Sequence, residues 1–295
     1  MISIWLRAVR IRFLLASVIA VSSGLAITWW QTSSITIFDA ILTMGGVLAL
    51  HASVDLLNDY WDFKRGIDTT TQRTKMSGGS GVLPDGLLKP RQVYAAGIIF
   101  LIIGASIGTY FVVTDGIIIG VILTFAVISI YFYSTKLVNW GLAEVFVTIK
   151  GSMIVIGTYF VQTSQIIESV VLCGIVIGVL SSLVLFITSF PDHDADKAKG
   201  RKTLVISLGR QKACSVLWAF PAIVYGVSIM AVVFEIFPVS CLIILLTIPL
   251  IIKSGHKLKQ NHKQLSTLVP AMNSTLYFSR ITGVLLVVGF LVNIS

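Results

Sequence analysis

Apolar residues run along this chain in long blocks, and polar residues gather between them. The blocks lie at about 13–31, 36–58, 92–113, 116–133, 141–163, 167–190, 213–233, 237–252 and 274–294. Most approach the ~20 residues a helix needs to cross a hydrocarbon core, and the shorter ones fit if tilted or partly buried. The pattern predicts an all-α, polytopic membrane protein of nine transmembrane helices around a central apolar cavity with a cytoplasmic polar cap. A single domain, 1–295, is expected. It contains a pseudo-repeat of about 13–133 and 141–252 followed by a final helix at 274–294. The first block runs from Phe13 to about Trp30, longer than the ~7–15 apolar residues of a signal peptide, so it reads as a retained helix.

Composition strengthens this picture. Of 295 residues, 56% are hydrophobic and only 12% charged, against about 25% charged in a soluble domain; the mean hydropathy is +0.93. The net charge of +9 needs no nucleic acid, because basic residues in such a chain set topology and meet anionic lipid. Their placement is one-sided. With the N-terminus in the cytoplasm, the loops after the second, fourth, sixth and eighth blocks face inward. These carry Lys64, Arg65, Arg73 and Lys75, then Lys136, then Arg201 and Lys202, and finally Lys253 to Lys263. The opposite loops carry no Lys or Arg. A multi-pass protein of the cell membrane with cytoplasmic active-site loops is expected. Cys173, Cys214 and Cys241 lie in apolar runs without metal or redox spacing and read as small buried hydrophobes.

Two acidic clusters interrupt the oily pattern. Asp55, Asn58, Asp59 and Asp62 close the second block at i, i+3, i+4 and i+7, a spacing that makes one stripe if the segment is helical. Asp192, Asp194 and Asp196 close the sixth. Such a stripe repels itself unless cations neutralise it. Asn58 with Asp62, and Asp192 with Asp196, are each one helical turn apart and can offer oxygens to a hard cation. Mg²⁺ typically takes one or two carboxylates and fills its shell with water and substrate phosphates. Two half-sites facing each other would hold a diphosphate between two or more bridging ions, with nearby Lys and Arg neutralising the remaining charge. The candidate diphosphate contacts are Lys64, Arg65, Arg73, Lys75, Arg201 and Lys202. The reaction class that suits an acidic cap over an apolar bundle is ionisation of an isoprenoid diphosphate, with water excluded and the allylic cation shielded by aromatic rings. Tyr131, Phe132, Tyr133, Trp61 and Trp140 are candidates for that shield. Asp62, Asp196, Tyr133 and Lys136 are the candidate catalytic residues.

Each feature has a plainer reading beside it. One acidic cluster alone is more often solvated loop charge, and it is the pairing that favours chemistry. Gly78-Gly-Ser-Gly81 reads as a phosphate nest or, at least as well, as a flexible linker. His51 reads first as a packing residue. Lys150, inside the fifth block, is a candidate functional charge against a snorkelling side chain.

At these residues the sequence resembles the UbiA superfamily of intramembrane prenyltransferases. Its first motif is similar to Asn58-Asp59-Tyr-Trp-Asp62-Phe-Lys-Arg-Gly-Ile-Asp68, and its second, DxxxD, to Asp192-His-Asp-Ala-Asp196. Within the superfamily the chain looks most like the menaquinone-pathway, 1,4-dihydroxy-2-naphthoate polyprenyltransferase branch. That likeness rests on Asp68 six residues after Asp62, on Gly79-Ser-Gly-Val-Leu-Pro-Asp-Gly-Leu-Leu, and on Ile156-Gly-Thr-Tyr-Phe-Val-Gln-Thr163. The resemblance implies Mg²⁺-dependent transfer of a polyprenyl group from its diphosphate to an aromatic acceptor within the lipid bilayer. It also implies metal binding by Asn58, Asp62, Asp68, Asp192 and Asp196. Other acceptors on the same fold, geranylgeranylglyceryl phosphate, 4-hydroxybenzoate or a haem, stay open, as does a secondary transporter.

Overall fold

The structure is a computed structural model and describes residues 1–68, 73–74, 76–133, 136–260 and 264–292. Among these residues it is built of helices and turns. Helices α1 (Ile2–Ala8), α2 (Ile11–Thr32), α3 (Ile37–Lys64), α4 (Pro90–Asp115) and α5 (Ile117–Phe132) make the first part of the chain. Helices α6 (Ala143–Thr163), α7 (Glu168–Ala198), α8 (Leu204–Leu208), α9 (Arg210–Val216), α10 (Ala219–Val233), α11 (Ile248–Gln260) and α12 (Leu265–Val292) make the rest, with a 3₁₀ segment at Val239–Thr247. Among the described residues eight stretches are long and apolar enough to cross a membrane, and the 16-residue α5 is a shorter apolar one. Together they match the nine expected spans.

The differences lie at the ends. The second and sixth spans do not stop where hydropathy falls. α3 continues to Lys64 and α7 to Ala198, so both acidic motifs are helical. The seventh span breaks at Leu217–Trp218 and the eighth opens as a 3₁₀ helix.

Packing follows the small residues. The most extensively packed helix pairs are α6 with α7 and α3 with α4. A Cβ on Gly151 of α6 would lie 2.7 Å from Gly178 Cα on α7, and one on Gly97 of α4 would lie 2.8 Å from the Leu57 side chain on α3. Gly at these positions lets backbones approach where lipid offers no hydrophobic drive for association. Phe186, Phe190, Phe278 and Phe290 fill the interior, while Ile99, Ile102 and Val113 face outward, as lipid-facing positions should. Many buried hydroxyls bond a carbonyl one turn back in their own helix, as in Ser23 to the Ile19 carbonyl (2.8 Å) and Thr28 to the Gly24 carbonyl (2.9 Å), and others cross to a neighbouring helix, as in Ser53 to the Gly97 carbonyl (2.8 Å).

The two motif helices end alike. In α3 the amide of Gly66 bonds the Phe63 carbonyl (3.0 Å) and the amide of Ile67 bonds the Asp62 carbonyl (2.9 Å). In α7 the amide of Gly200 bonds the Lys197 carbonyl (3.1 Å) and the amide of Arg201 bonds the Asp196 carbonyl (3.0 Å). Both are Schellman caps, with Gly66 at φ 70° and Gly200 at φ 77°. Asp62 and Asp196 therefore occupy the same place in their caps, and in each the chain turns back over that aspartate.

Candidate active site

The caps bring the motifs together. A cavity of about 110 Å³ is lined by Asn58, Asp62, Asp68, Asp192 and Asp196, and also by Arg10, Tyr133 and Arg201. All five candidate metal ligands thus share one chamber. Arg201 spans it. Its Nη2 donates to Asp62, and its Nη1 donates to Asp196 at 3.1 Å. Burial works against the Arg201 charge, but the two carboxylates outweigh it and hold the guanidinium more firmly protonated than usual.

The loop after α3 closes the chamber. The amide of Gly78 donates to Asp192 Oδ2 (3.3 Å), tying the first loop to the second motif. The amide of Ser80 donates to both oxygens of Asp59, each at 3.2 Å. Arg7 Nε donates to the Ser80 carbonyl at 2.7 Å, while Arg7 and Arg73 both pair with Asp85, at 2.6 and 2.9 Å. The Gly-rich stretch is therefore an anchored strap and not a free linker. Gly79, at φ +74°, lies so close to Asp68 that a Cβ there would meet Asp68 Oδ2 at 2.5 Å.

The residues present fit a hard cation. Every donor is an oxygen. Asp192 Oδ1 is buried with no hydrogen-bond partner. Burial, then the charges of Asp62 and Asp59, push the Asp68 carboxyl up to about 8, and a cation beside it would favour its charged form. Among the described residues no three acidic, His or Cys side chains already converge on one ion position.

The remaining candidates are spread more widely. Arg65 donates to Asn139 Oδ1 (3.3 Å) and to the Lys199 carbonyl (3.2 Å) at the rim. Arg73 is committed to Asp85. Lys64 lies over the Tyr60 ring (5.4 Å) and Lys136 over the Phe132 ring (5.0 Å), both exposed and outside the chamber lining. Lys202 is exposed. Lys75 lies outside the described residues. Of the five shielding aromatics, Tyr133 lines the chamber, whereas Trp140 is 62% exposed. Asp59 and Asp194 point elsewhere: Asp59 pairs with Arg10 at 2.5 Å, and Asp194 pairs with His193 and Arg210 at the surface.

Arg10 is the residue that sequence reasoning missed. In sequence it is one of three basic residues that precede the first apolar run. Its left-handed backbone (φ 46°) opens α2, and its side chain reaches Asp59 and the chamber. The uneven spacing of Arg7, Arg10 and Arg12 carries no signal of that.

Below the chamber lies a second cavity of about 240 Å³, sharing Asn58, Arg10 and Tyr133 with it and otherwise walled mainly by apolar side chains of α2, α3, α6, α7 and α12. An acidic, arginine-bridged cap opening onto an apolar interior is the arrangement that a diphosphate head with a lipid tail requires.

Comparison with known proteins agrees. Residues 16–277 match the UbiA prenyltransferase family. The chain is 25% identical over 250 residues to 1,4-dihydroxy-2-naphthoate octaprenyltransferase of Bacillus subtilis (strain 168), covering 83% of this chain and 79% of the relative. The fold is similar to the apo structure of a UbiA homolog from Aeropyrum pernix K1 (TM-score 0.71, 16% identity, 96% and 98% of the two chains). It is also similar to a UbiA homolog from Archaeoglobus fulgidus solved with GPP and Mg²⁺ (TM-score 0.58, 16% identity, 96% and 99%). With its paired acidic motifs on capped helix ends over an apolar interior, the chain belongs to the UbiA prenyltransferase family and is an enzyme that transfers prenyl groups.

Proposed function

We propose that the chain transfers a polyprenyl group from its diphosphate to 1,4-dihydroxy-2-naphthoate, with Mg²⁺ as cofactor, in quinone biosynthesis at the cytoplasmic face of the cell membrane. The observation that carries the reading is the single chamber in which Asn58, Asp62 and Asp68 of one motif meet Asp192 and Asp196 of the other. The likeness to the naphthoate octaprenyltransferase favours that acceptor over glyceryl phosphate or hydroxybenzoate. The basic residues after α3 and α7 favour a cytoplasmic cap.

Mg²⁺ ions held by Asn58, Asp62, Asp68, Asp192 and Asp196 would neutralise the diphosphate and its developing charge on departure. The protein's own part is positional. Arg201 and Arg10 line the chamber and supply fixed positive charge to the phosphate oxygens. Arg201 exchanges its carboxylate partners for phosphate as the substrate enters. The strap at Gly78–Ser80 keeps water from the chamber, where it would quench an allylic cation. Tyr133, at the junction of the two cavities, presents its ring to the carbon from which diphosphate leaves. The apolar cavity takes the tail.

The test is radiolabelled polyprenyl diphosphate offered to the purified protein with a naphthoate, a hydroxybenzoate or a glycerol phosphate acceptor, with Mg²⁺ or EDTA. Prenylated naphthoate formed only with Mg²⁺ is expected. Product with another acceptor alone would move the assignment to that acceptor.

A further inference from the structure

The chamber accounts for the diphosphate, and an apolar cavity accounts for a hydrocarbon tail. Neither accounts for the polar groups deeper in the bundle. His51, Asp55, Asn58 and Asp62 lie at i, i+4, i+7 and i+11 on α3 and form one stripe, which descends roughly 16 Å from cap to interior at 1.5 Å per residue. Asp62 and Asn58 line the chamber; Asn58, Asp55 and His51 line the lower cavity. Ser17 of α2, Lys150 of α6, Arg280 of α12 and Arg10 line that cavity too.

The bonds among these groups are incomplete. Ser17 Oγ and His51 Nδ1 are 2.7 Å apart. His51 Nε2 stands 3.9 Å from Asp55 Oδ2, too far for a hydrogen bond. Asp55 Oδ2 is buried and has no hydrogen-bond partner. Arg10 and then Lys150 attract Asp55 electrostatically. Neither forms an ion pair with it within 4 Å, as the described Asp55 pairs only with His51 at that range. A lysine in a membrane helix is costly, and such residues mark sites that bind or carry charge. A buried carboxylate oxygen without a donor is likewise costly unless a ligand supplies one.

The missing ligand must present an anion to Lys150 and a donor to Asp55, and must sit below the diphosphate against apolar walls. A prenyl tail offers neither group. A planar aromatic acid bearing a hydroxyl offers both. We propose that Lys150, Asp55 and His51 form the acceptor subsite, with Lys150 taking the acceptor's carboxylate and Asp55 accepting a hydrogen bond from its ring hydroxyl. His51, held by Ser17, borders the same ring. The Asp55 contact draws electron density toward the ring carbon that attacks the prenyl group. The subsite rests on the aromatic-acceptor reading above and adds that the acceptor's acid group is read by Lys150.

The test compares each acceptor with its decarboxylated twin: 1,4-dihydroxy-2-naphthoate with 1,4-dihydroxynaphthalene, and 4-hydroxybenzoate with phenol. It uses the full-length wild type, Lys150→Met and Lys150→Arg, with both substrates' KM values and thermal stability measured. Lys150→Met removes a charge from an apolar helix face and should stay folded. The expected result is an acceptor KM raised about tenfold or more for the acid and unchanged for its twin. The donor KM stays within about twofold, and Lys150→Arg restores the preference for the acid. A folded Lys150→Met protein that keeps the wild-type preference, or whose donor KM changes instead, overturns the subsite. If the wild type prenylates hydroxybenzoate and not the naphthoate, the naphthoate assignment fails while the same comparison still decides the role of Lys150. If the wild type prenylates no aromatic acid, the subsite falls with the reading it rests on.

Discussion

Arg201 bonds Asp62 across the chamber, although one residue follows α7 and the other closes α3. The same guanidinium bonds Asp196 at 3.1 Å. A single side chain thus ties the two acidic motifs to each other. Removing it leaves buried carboxylates facing each other, a loss of about 3–5 kcal/mol by the rule for a broken buried pair. Arg201→Met should therefore melt earlier in EDTA. Added Mg²⁺ should raise its melting temperature more than that of the wild type, because the ion relieves the same repulsion. Differential scanning fluorimetry in detergent reads both effects. Equal Mg²⁺ shifts in the two proteins would remove Arg201 from this role.

Asp68 gives a pH dependence with a definite sign. Its carboxyl is pushed up to about 8 in the fold, by burial and then by Asp62 and Asp59, and it returns to about 3.9 when unfolded. Between these values the folded state holds the proton and the unfolded state does not. Stability therefore falls as pH rises through that window. In EDTA the wild-type melting temperature should drop from pH 5 to pH 8, and Asp68→Asn should flatten the slope. A wild-type slope unchanged in Asp68→Asn would assign the effect to another group.

Gly79 and Gly86 separate backbone strain from crowding. Both have positive φ, +74° and +67°, but a Cβ on Gly86 meets nothing within 4 Å, whereas one on Gly79 runs into Asp68. Gly86→Ala should cost about 1 kcal/mol and leave turnover intact. Gly79→Ala should cost more and lower turnover at least tenfold, since the strap and Asp68 cannot both keep their places. Turnover and melting temperature for the two variants side by side give the comparison.

Asp59 anchors the strap and Arg10 but does not line the chamber. Asp59→Asn should lower stability by about 1–3 kcal/mol and leave the Mg²⁺ concentration for half-maximal activity within about twofold. A tenfold shift in that concentration would make Asp59 a ligand.

Much of this was legible in the sequence, for reasons that also mark where legibility ends. Hydropathy predicted the nine apolar segments because lipid forces each span to be locally self-sufficient. The four-residue spacing of Asn58 with Asp62, and of Asp192 with Asp196, predicted one face of a helix, and α3 and α7 do run through both motifs. Arg201 and Lys202 are equally basic neighbours in sequence, yet the Gly200 cap turns one into the chamber and leaves the other exposed. Arg10 hides because a basic residue before a first span already has a use in topology. Gly78-Gly-Ser-Gly81 reads locally as a flexible linker, since the groups that fix it, Arg7, Asp59 and Asp192, come from distant parts of the chain.

The central claim is that both motifs act together on one diphosphate. Its most direct measurement is Mg²⁺-dependent release of diphosphate from a polyprenyl diphosphate, with naphthoate present, by purified Asp62→Ala and Asp196→Ala proteins whose folding is verified by thermal melting. Each substitution alone should reduce release at least a hundredfold at saturating Mg²⁺. Wild-type turnover in either folded variant would contradict the two-motif site.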